Sequence, residues 1–319
     1  MSEGHAAPAP TTVLTARSAA IASVVTALFL LVLKGLAAYS TNSVAMLGSL
    51  ADTGLDLLAS AVLLYAVRLA ATPADVDHRF GHGKAEALAA LFQVALITAS
   101  AALIAWRAAV RLGEDAAPID AGFGIVVSLI AIAATFALLA YQRRVIARTG
   151  SVAIRADSVH YQSDLLLNLS VIAALVLDQY LGLTGADPVF GIAIALWLAW
   201  GAFKASSQAI DQLMDREWPE EKRQRFLAAA AAHPQLKGIH DFRTRTSGTR
   251  DFAQFHMNVA SDMTIAQAHD VMDQVEESIR KDFPHVEVLI HLDPEGHVDQ
   301  PGNLLVETDV TPHWFGKRP

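Results

Sequence analysis

The sequence predicts an α-helical polytopic membrane bundle of six spanning helices followed by a small α+β, ferredoxin-like domain of order αββαβ. Three observations carry this. Of 319 residues, 53% are hydrophobic and 18% charged, and the mean hydropathy is +0.35, too apolar for an ordinary soluble chain. Between Ser18 and Gln208 the apolar runs recur at roughly the twenty residues a bilayer requires. After Gln208 the composition turns charged and aromatic, with short alternating and helical periods.

Taken in order, residues 1–17 are expected to form a disordered Ala/Pro-rich tail, and Ser18–Tyr39 the first span. A signal peptide is the competing reading, because Arg17 precedes the run, but the run is long for an h-region and further spans follow. Lys34 is placed near its outer end, where it can snorkel. Ser43–Ala70, Glu86–Trp106, Gly122–Tyr141, Ser158–Leu177 and a run starting at Pro188–Phe203 supply the other five spans. The two longer connections, Ala71–Ala85 and Gln142–Ala156, hold Arg79, Lys84, Arg143, Arg144, Arg148 and Arg155. The opposite connections hold almost no positive charge, Arg107 and Arg111 being offset by Glu114 and Asp115. The excess of basic residues puts both termini in the cytoplasm.

The transmembrane region is therefore expected over residues 18–208, and the soluble domain over 209–296, with a loose tail at 297–319. Within the soluble domain Pro219–Ala232 reads as a helix opened by proline. Gly238–Thr246 and Asp251–Ala260 read as strands joined by a turn at Gly248. Thr264–Asp282 reads as an amphipathic helix with Ile265, Ala268, Val271, Val275 and Ile279 inward. Val286–Leu292 closes as a strand with Val286, Val288, Ile290 and Leu292 on one face.

The chain has no cysteine. That excludes disulfides, thiolate metal sites and cysteine nucleophiles, and leaves His, Asp, Glu or backbone oxygen to bind any metal. A net charge of −8 gives no basis for nucleic-acid binding. The run G-H-G-K at Gly81–Lys84 lacks the Walker spacing, so no nucleotide site is expected.

Two apolar stretches carry acids. L-A-D-T-G-L-D holds Asp52 and Asp56, and A-D-S-V-H-Y-Q-S-D holds His160 and Asp164. Each pair is spaced i, i+4, so each projects from one helix face. Side by side, the helices would bring three carboxylates and an imidazole to one point, a tetrahedral set for a divalent metal such as zinc. The alternative is that Asp52 and Asp164 sit near helix ends, reach water, and merely cap or pair. A carboxylate inside the membrane is costly enough to imply function, and the sequence places no membrane Lys or Arg beside these acids to neutralise them. His160, rather than a fourth acid, favours zinc or cadmium over the harder manganese.

Two further groups stand out. Asp75, His78 and His82 have the spacing D-x-x-H-x-x-x-H, compatible with a small N/O metal site or with groups simply shown to water. The soluble domain carries His240, His256, His269, His291 and Asp293. The apolar positions Ala253, Phe255, Met257 and Val259 turn His256 outward, and His291 and Asp293 share the face opposite Val288 and Ile290. The competing reading is a set of ordinary exposed histidines. His233 and His285 match no motif and read as surface residues.

The chain resembles the cation diffusion facilitator family, in particular its bacterial zinc/iron exporters with a cytosolic C-terminal domain. The resemblance rests on L-A-D-T-G-L-D, P-A-D-V-D-H-R-F-G-H-G-K-A-E, A-D-S-V-H-Y-Q-S-D, G-I-H-D-F-R-T-R and I-H-L-D-P, which extend from the second span to the end of the soluble domain. It implies a transport site at Asp52, Asp56, His160 and Asp164, and a second ion at Asp75, His78 and His82. It also implies a binuclear zinc site at His240, His256, His269, His291 and Asp293 bridging the soluble domains of a homodimer. Lys84 and Asp215 match a charge pair that in the family ties helix ends to the dimer interface.

The expected activity is export of a divalent metal, zinc first and cadmium next, from the cytoplasm across the bacterial inner membrane in exchange for protons. Iron, cobalt and nickel are the alternatives. No Walker sequence or phosphorylatable aspartate signature supports ATP-driven pumping. Ligands must lose protons to bind metal, and His160, with an ordinary pKa of about 6.5, is the natural proton carrier. Exchange of one proton per ion moves net charge outward, at about 2.3 kcal/mol per 100 mV, whereas two protons leave it neutral. An intramembrane metallohydrolase would need an open coordination position and a general base of the H-E-x-x-H kind, which the sequence lacks, so no enzyme is expected. A non-transporting membrane metal sensor is the remaining rival.

Overall fold

The computed structural model describes residues 10–41, 44–111, 122–181, 186–231, 238–248 and 250–296. The expected loose tail at 297–319 and His233 lie outside them. The chain divides into two compact units, Met1–Asp211 and Gln212–Pro319.

The first unit holds six long helices: α1 (Pro10–Thr41), α2 (Val44–Ala70), α3 (Ala85–Arg111), α4 (Gly122–Thr149), α5 (Val152–Leu181) and α6 (Ala186–Leu213). Among the described residues, five segments are long and apolar enough to cross a membrane: Ala16–Tyr39, Asp52–Ala70, Ala85–Val110, Val126–Thr149 and Pro188–Leu213. Helix α5 carries Arg155, Asp157, His160 and Asp164 in its first half and an apolar run from Leu165 in its second.

Helix ends differ from the expectation at several points. Helix α1 starts at Pro10, inside the stretch expected to be disordered; proline opens it, where a missing N–H costs nothing. The expected loop Gln142–Ala156 is mostly helix, and only Gly150 and Ser151 separate α4 from α5. A helix does not stop where its apolar run stops, since its backbone bonds are internal and its polar end can continue into water. Gly150 ends α4 with φ +66° and donates its N–H to Ile146 O at 2.9 Å, a left-handed cap that favours glycine. Ser151 then opens α5: its Oγ accepts from Ile154 N at 3.4 Å and donates to Glu86 Oε2 at 2.6 Å, tying α3 to the same corner.

Small residues let the helices approach. Ala16, Ala19 and Ala20 of α1 pack with Leu63 and Val67 of α2, Val145 of α4, and Ala153 and Ile154 of α5. Helix α6 packs through Ile194, Leu198 and Ala202 on Ile97 and Ala101 of α3. At Gly201 a Cβ would stand 3.0 Å from Val159 Cγ1, so the absent side chain is what seats α6 beside the residue preceding His160.

The second unit is an α+β layer with α7 (Glu220–Ala230), β1 (Gly238–Ser247), β2 (Arg250–Val259), α8 (Ile265–Asp282) and β3 (Val286–Pro294). The sheet order is β1-β2-β3, with β1 antiparallel and β3 parallel to β2. Thr264 caps α8 through a reciprocal box with Gln267. The core joins Trp218, Phe226, Phe242 and Phe255 to Val271, Val275 and Ile279 of α8, with Val286, Val288, Ile290 and Leu292 packed against it. Ile265, expected inward, is 90% exposed, because it is the first residue after the cap, ahead of the turns that meet the sheet.

Candidate metal sites

Among the described residues, three groups of side chains have ligand atoms all within 4.8 Å of one another: Asp56, His160 and Asp164; Asp75, His78 and His82; and His240, His256 and Asp293.

The first group lies between α2 and α5. His160 Nε2 is 2.8 Å from Asp56 Oδ1 and 3.9 Å from Asp164 Oδ2. The i, i+4 spacing on α5 stacks His160 over Asp164, and the packing of α2 on α5 supplies Asp56. Asp52 sits one turn before Asp56 on α2, is exposed, and is not in the 4.8 Å group.

Three residues, Asp157, Tyr161 and Lys34, were not placed beside this group from sequence. Asp157, fully buried, accepts from Ser23 Oγ at 2.6 Å and Gln142 Nε2 at 2.7 Å. Tyr161 donates its hydroxyl to Ser23 O at 3.1 Å and meets Ser60 Oγ at 3.0 Å. Ser23, Ser60, Gln142 and the pair on α5 thus join α1, α2, α4 and α5 in one polar network next to His160. The third is Lys34. It does not snorkel outward: its Nζ donates to Thr53 Oγ1 at 2.7 Å, and Thr53 lies between Asp52 and Asp56. The sequence reading that no lysine lies near these acids is corrected accordingly, since position along α1 does not reveal which way the side chain turns.

The second group is built by an aspartate turn in the loop before α3. Asp75 Oδ1 accepts from His78 N at 2.6 Å and Asp77 N at 3.0 Å, and its Oδ2 is 3.4 Å from His82 Nε2. The His78 amide, ahead of any other favourable contact, holds the Asp75 carboxyl below its usual range. The two imidazoles lie 4.6 Å apart.

The third group follows from strand register. His240 pairs with His256 across β1–β2, and His256 with His291 across β2–β3, so the three form one row. Asp293, two residues beyond His291, shares its face. Asp293 Oδ2 lies 2.8 Å from His256 Nδ1 and 3.3 Å from His240 Nε2, and its Oδ1 lies 3.5 Å from His291 Nε2. Asp293 is 5% exposed and His291 lies at the open edge. Asp241, at a break in the β1 register with φ 48°, approaches His256 Nε2 at 3.8 Å. His269 is elsewhere, exposed on α8 with Nε2 3.8 Å from Asp273. Asp215 pairs with Arg245 at 3.7 Å in the second unit, and Lys84 closes the loop before α3 in the first.

A membrane bundle with a carboxylate–imidazole cluster inside it, joined to a His-lined α+β domain, has the form of a metal-ion transporter. Comparison with known proteins agrees. Residues 20–214 match the cation efflux transmembrane domain and residues 218–295 the cation efflux protein cytoplasmic domain. The chain is 44% identical over 273 residues to the cation-efflux pump FieF of Shewanella oneidensis, covering 86% of this chain and 92% of that one. It is 40% identical over 284 residues to the FieF pump of Escherichia coli O127:H6, covering 89% and 94%. Among solved structures, CzrB in its Zn form matches at 31% identity and a TM-score of 0.24, over 27% of this chain and 99% of that one. The chain belongs to the cation diffusion facilitator family, as a bacterial inner-membrane cation efflux transporter with a C-terminal cytosolic domain, and it is not an enzyme.

Proposed function

We propose that the chain exports zinc, with cadmium as a second substrate, from the cytoplasm in exchange for protons, by alternating access around Asp52, Asp56, His160 and Asp164. The observation that carries this is the 2.8 Å approach of His160 to Asp56 with Asp164 one turn below. An imidazole among carboxylates suits a borderline divalent ion better than a hard one. Each of these groups also binds a proton, so metal and protons compete for the same atoms. In this reading Asp52 completes the tetrahedron from the adjacent turn of α2, and both termini face the cytoplasm. The FieF relatives are cation-efflux pumps by name, which fixes no single metal, and iron, cobalt or nickel is the alternative cargo.

The loop group at Asp75, His78 and His82 is read as a second ion site. The soluble group is read as a zinc site that tightens a homodimer. The donor set fits zinc: two imidazoles and a buried carboxylate stand within ligand reach of one another. His240, His256, His291 and Asp293 would hold the metal from one chain. His269, on the exposed side of α8, would enter only from a second copy, and the Lys84 and Asp215 charges would tie the helix ends to that dimer. Metal there would bias the conformation of the membrane domain.

Uptake of zinc and of iron into sealed proteoliposomes under an imposed pH gradient tests the reading. Zinc accumulation that reverses direction with the gradient is the expected result. Metal binding with no flux would show a sensor instead.

A further inference from the structure

Lys34 is a cation on a membrane-spanning helix, and a charge there needs a reason. Its ammonium reaches the Thr53 hydroxyl at 2.7 Å. Thr53 is 1% exposed and spends its own proton on Ser49 O at 3.1 Å, which leaves its oxygen lone pair turned to Lys34. The lysine is therefore anchored by a neutral group that lies between Asp52 and Asp56 along α2. The contact holds it against the turn of α2 that carries both acids.

Charge arithmetic shows what this achieves. With the metal bound, Asp52, Asp56 and Asp164 contribute three negative charges and a ligating His160 none. A divalent ion leaves one negative charge uncompensated inside the bundle, where net charge is costly. Lys34 brings the sum of the ion and its four ligands to zero, with Asp157 held apart in its own hydrogen bonds to Ser23 and Gln142 and outside this count. The same fixed charge repels the metal, so it weakens binding enough for release.

We propose that Lys34 is the fixed counter-cation of the transport site, positioned by Thr53 to make the metal-loaded state neutral and to keep metal affinity low enough for turnover. This rests on the reading of the transport site given above. The test is zinc flux in proteoliposomes, with KM and kcat measured for wild type, Lys34→Met, Lys34→Arg, Thr53→Val and Asp56→Asn. Lys34→Met is expected to lower KM about tenfold, equivalent to about 1.4 kcal/mol, and to lower kcat by a similar factor. Lys34→Arg keeps the charge and stays within about twofold of wild type on both, a window well inside that tenfold step. Thr53→Val loosens the anchor and shifts both constants the same way by a smaller factor, and it carries the test should Lys34→Met not fold.

A merely structural lysine would lower kcat with KM unchanged or raised, and that result overturns the inference. So does a Lys34→Arg variant as impaired as Lys34→Met, or an unchanged KM in Thr53→Val. Asp56→Asn separates the two levels. If it abolishes flux while Lys34→Met leaves KM alone, only the role of Lys34 fails. If it transports normally, the site itself is elsewhere.

Discussion

Asp157 offers a sharp test of how the bundle is held together. In Asp157→Ala, Ser23 Oγ and Gln142 Nε2 lose the acceptor they share. Neither donor is stranded completely, since Ser23 also reaches Ala19 O at 3.2 Å and Gln142 also reaches Ser23 Oγ at 3.0 Å. Two short hydrogen bonds to one buried carboxyl group, at about 1–2 kcal/mol each after that partial rescue, give a loss of about 2–4 kcal/mol. At about 2–4 °C per kcal/mol for a chain of this size, the thermal midpoint of the detergent-purified protein should fall by about 5–15 °C. Asp157→Asn keeps an oxygen for both donors and should stay within about 1 kcal/mol of wild type. Thermal unfolding read by loss of the monodisperse gel-filtration peak checks both. An Ala variant as stable as wild type, or an Asn variant as damaged as Ala, would refute the account of this network.

Three other expectations follow from particular contacts. Phe226 is fully buried and meets the rings of Trp218, Phe242, Phe255 and Phe283, so Phe226→Ala should cost about 3–5 kcal/mol in denaturant unfolding of the soluble domain within the intact chain. Gly201→Val should push α6 away from Val159 and cost about 1–3 kcal/mol by overpacking, with a fall in flux that the thermal midpoint alone does not explain. The Asp75 carboxyl, held below its usual range by the His78 amide, stabilises the loop above the ordinary value, and that contribution is lost as pH falls through its lowered one. Hydrogen exchange at the His78 amide should therefore quicken only on strong acidification in wild type, and show no such step in Asp75→Asn.

Much of the architecture was legible because hydrophobic runs and alternation are local signals. Six helices, the αββαβ order and the inward faces of β2 and β3 follow from residue period alone. Helix ends were not, because nothing in the polar stretch after Tyr141 distinguishes a helix extending into water from a loop. Asp56, His160 and Asp164 stood out through i, i+4 spacing inside apolar runs. Asp157 did not, since its partners Ser23 and Gln142 lie on other helices, Ser23 134 positions away. Lys34 was misplaced for a related reason: the sequence gives its depth along α1 but not the neighbour it faces. The row of His240, His256 and His291 needed the strand register, which pattern alone does not supply.

The most direct measurement of the central claim is zinc uptake into sealed proteoliposomes under a pH gradient for wild type, Asp56→Ala and His160→Ala, with each variant shown to be folded. The account predicts gradient-driven uptake in wild type and a loss of more than about tenfold in each variant, since even a group that only orients a metal ligand is worth about 10–100-fold. Uptake that survives both substitutions at near wild-type rates would contradict it and move the transport site away from α2 and α5.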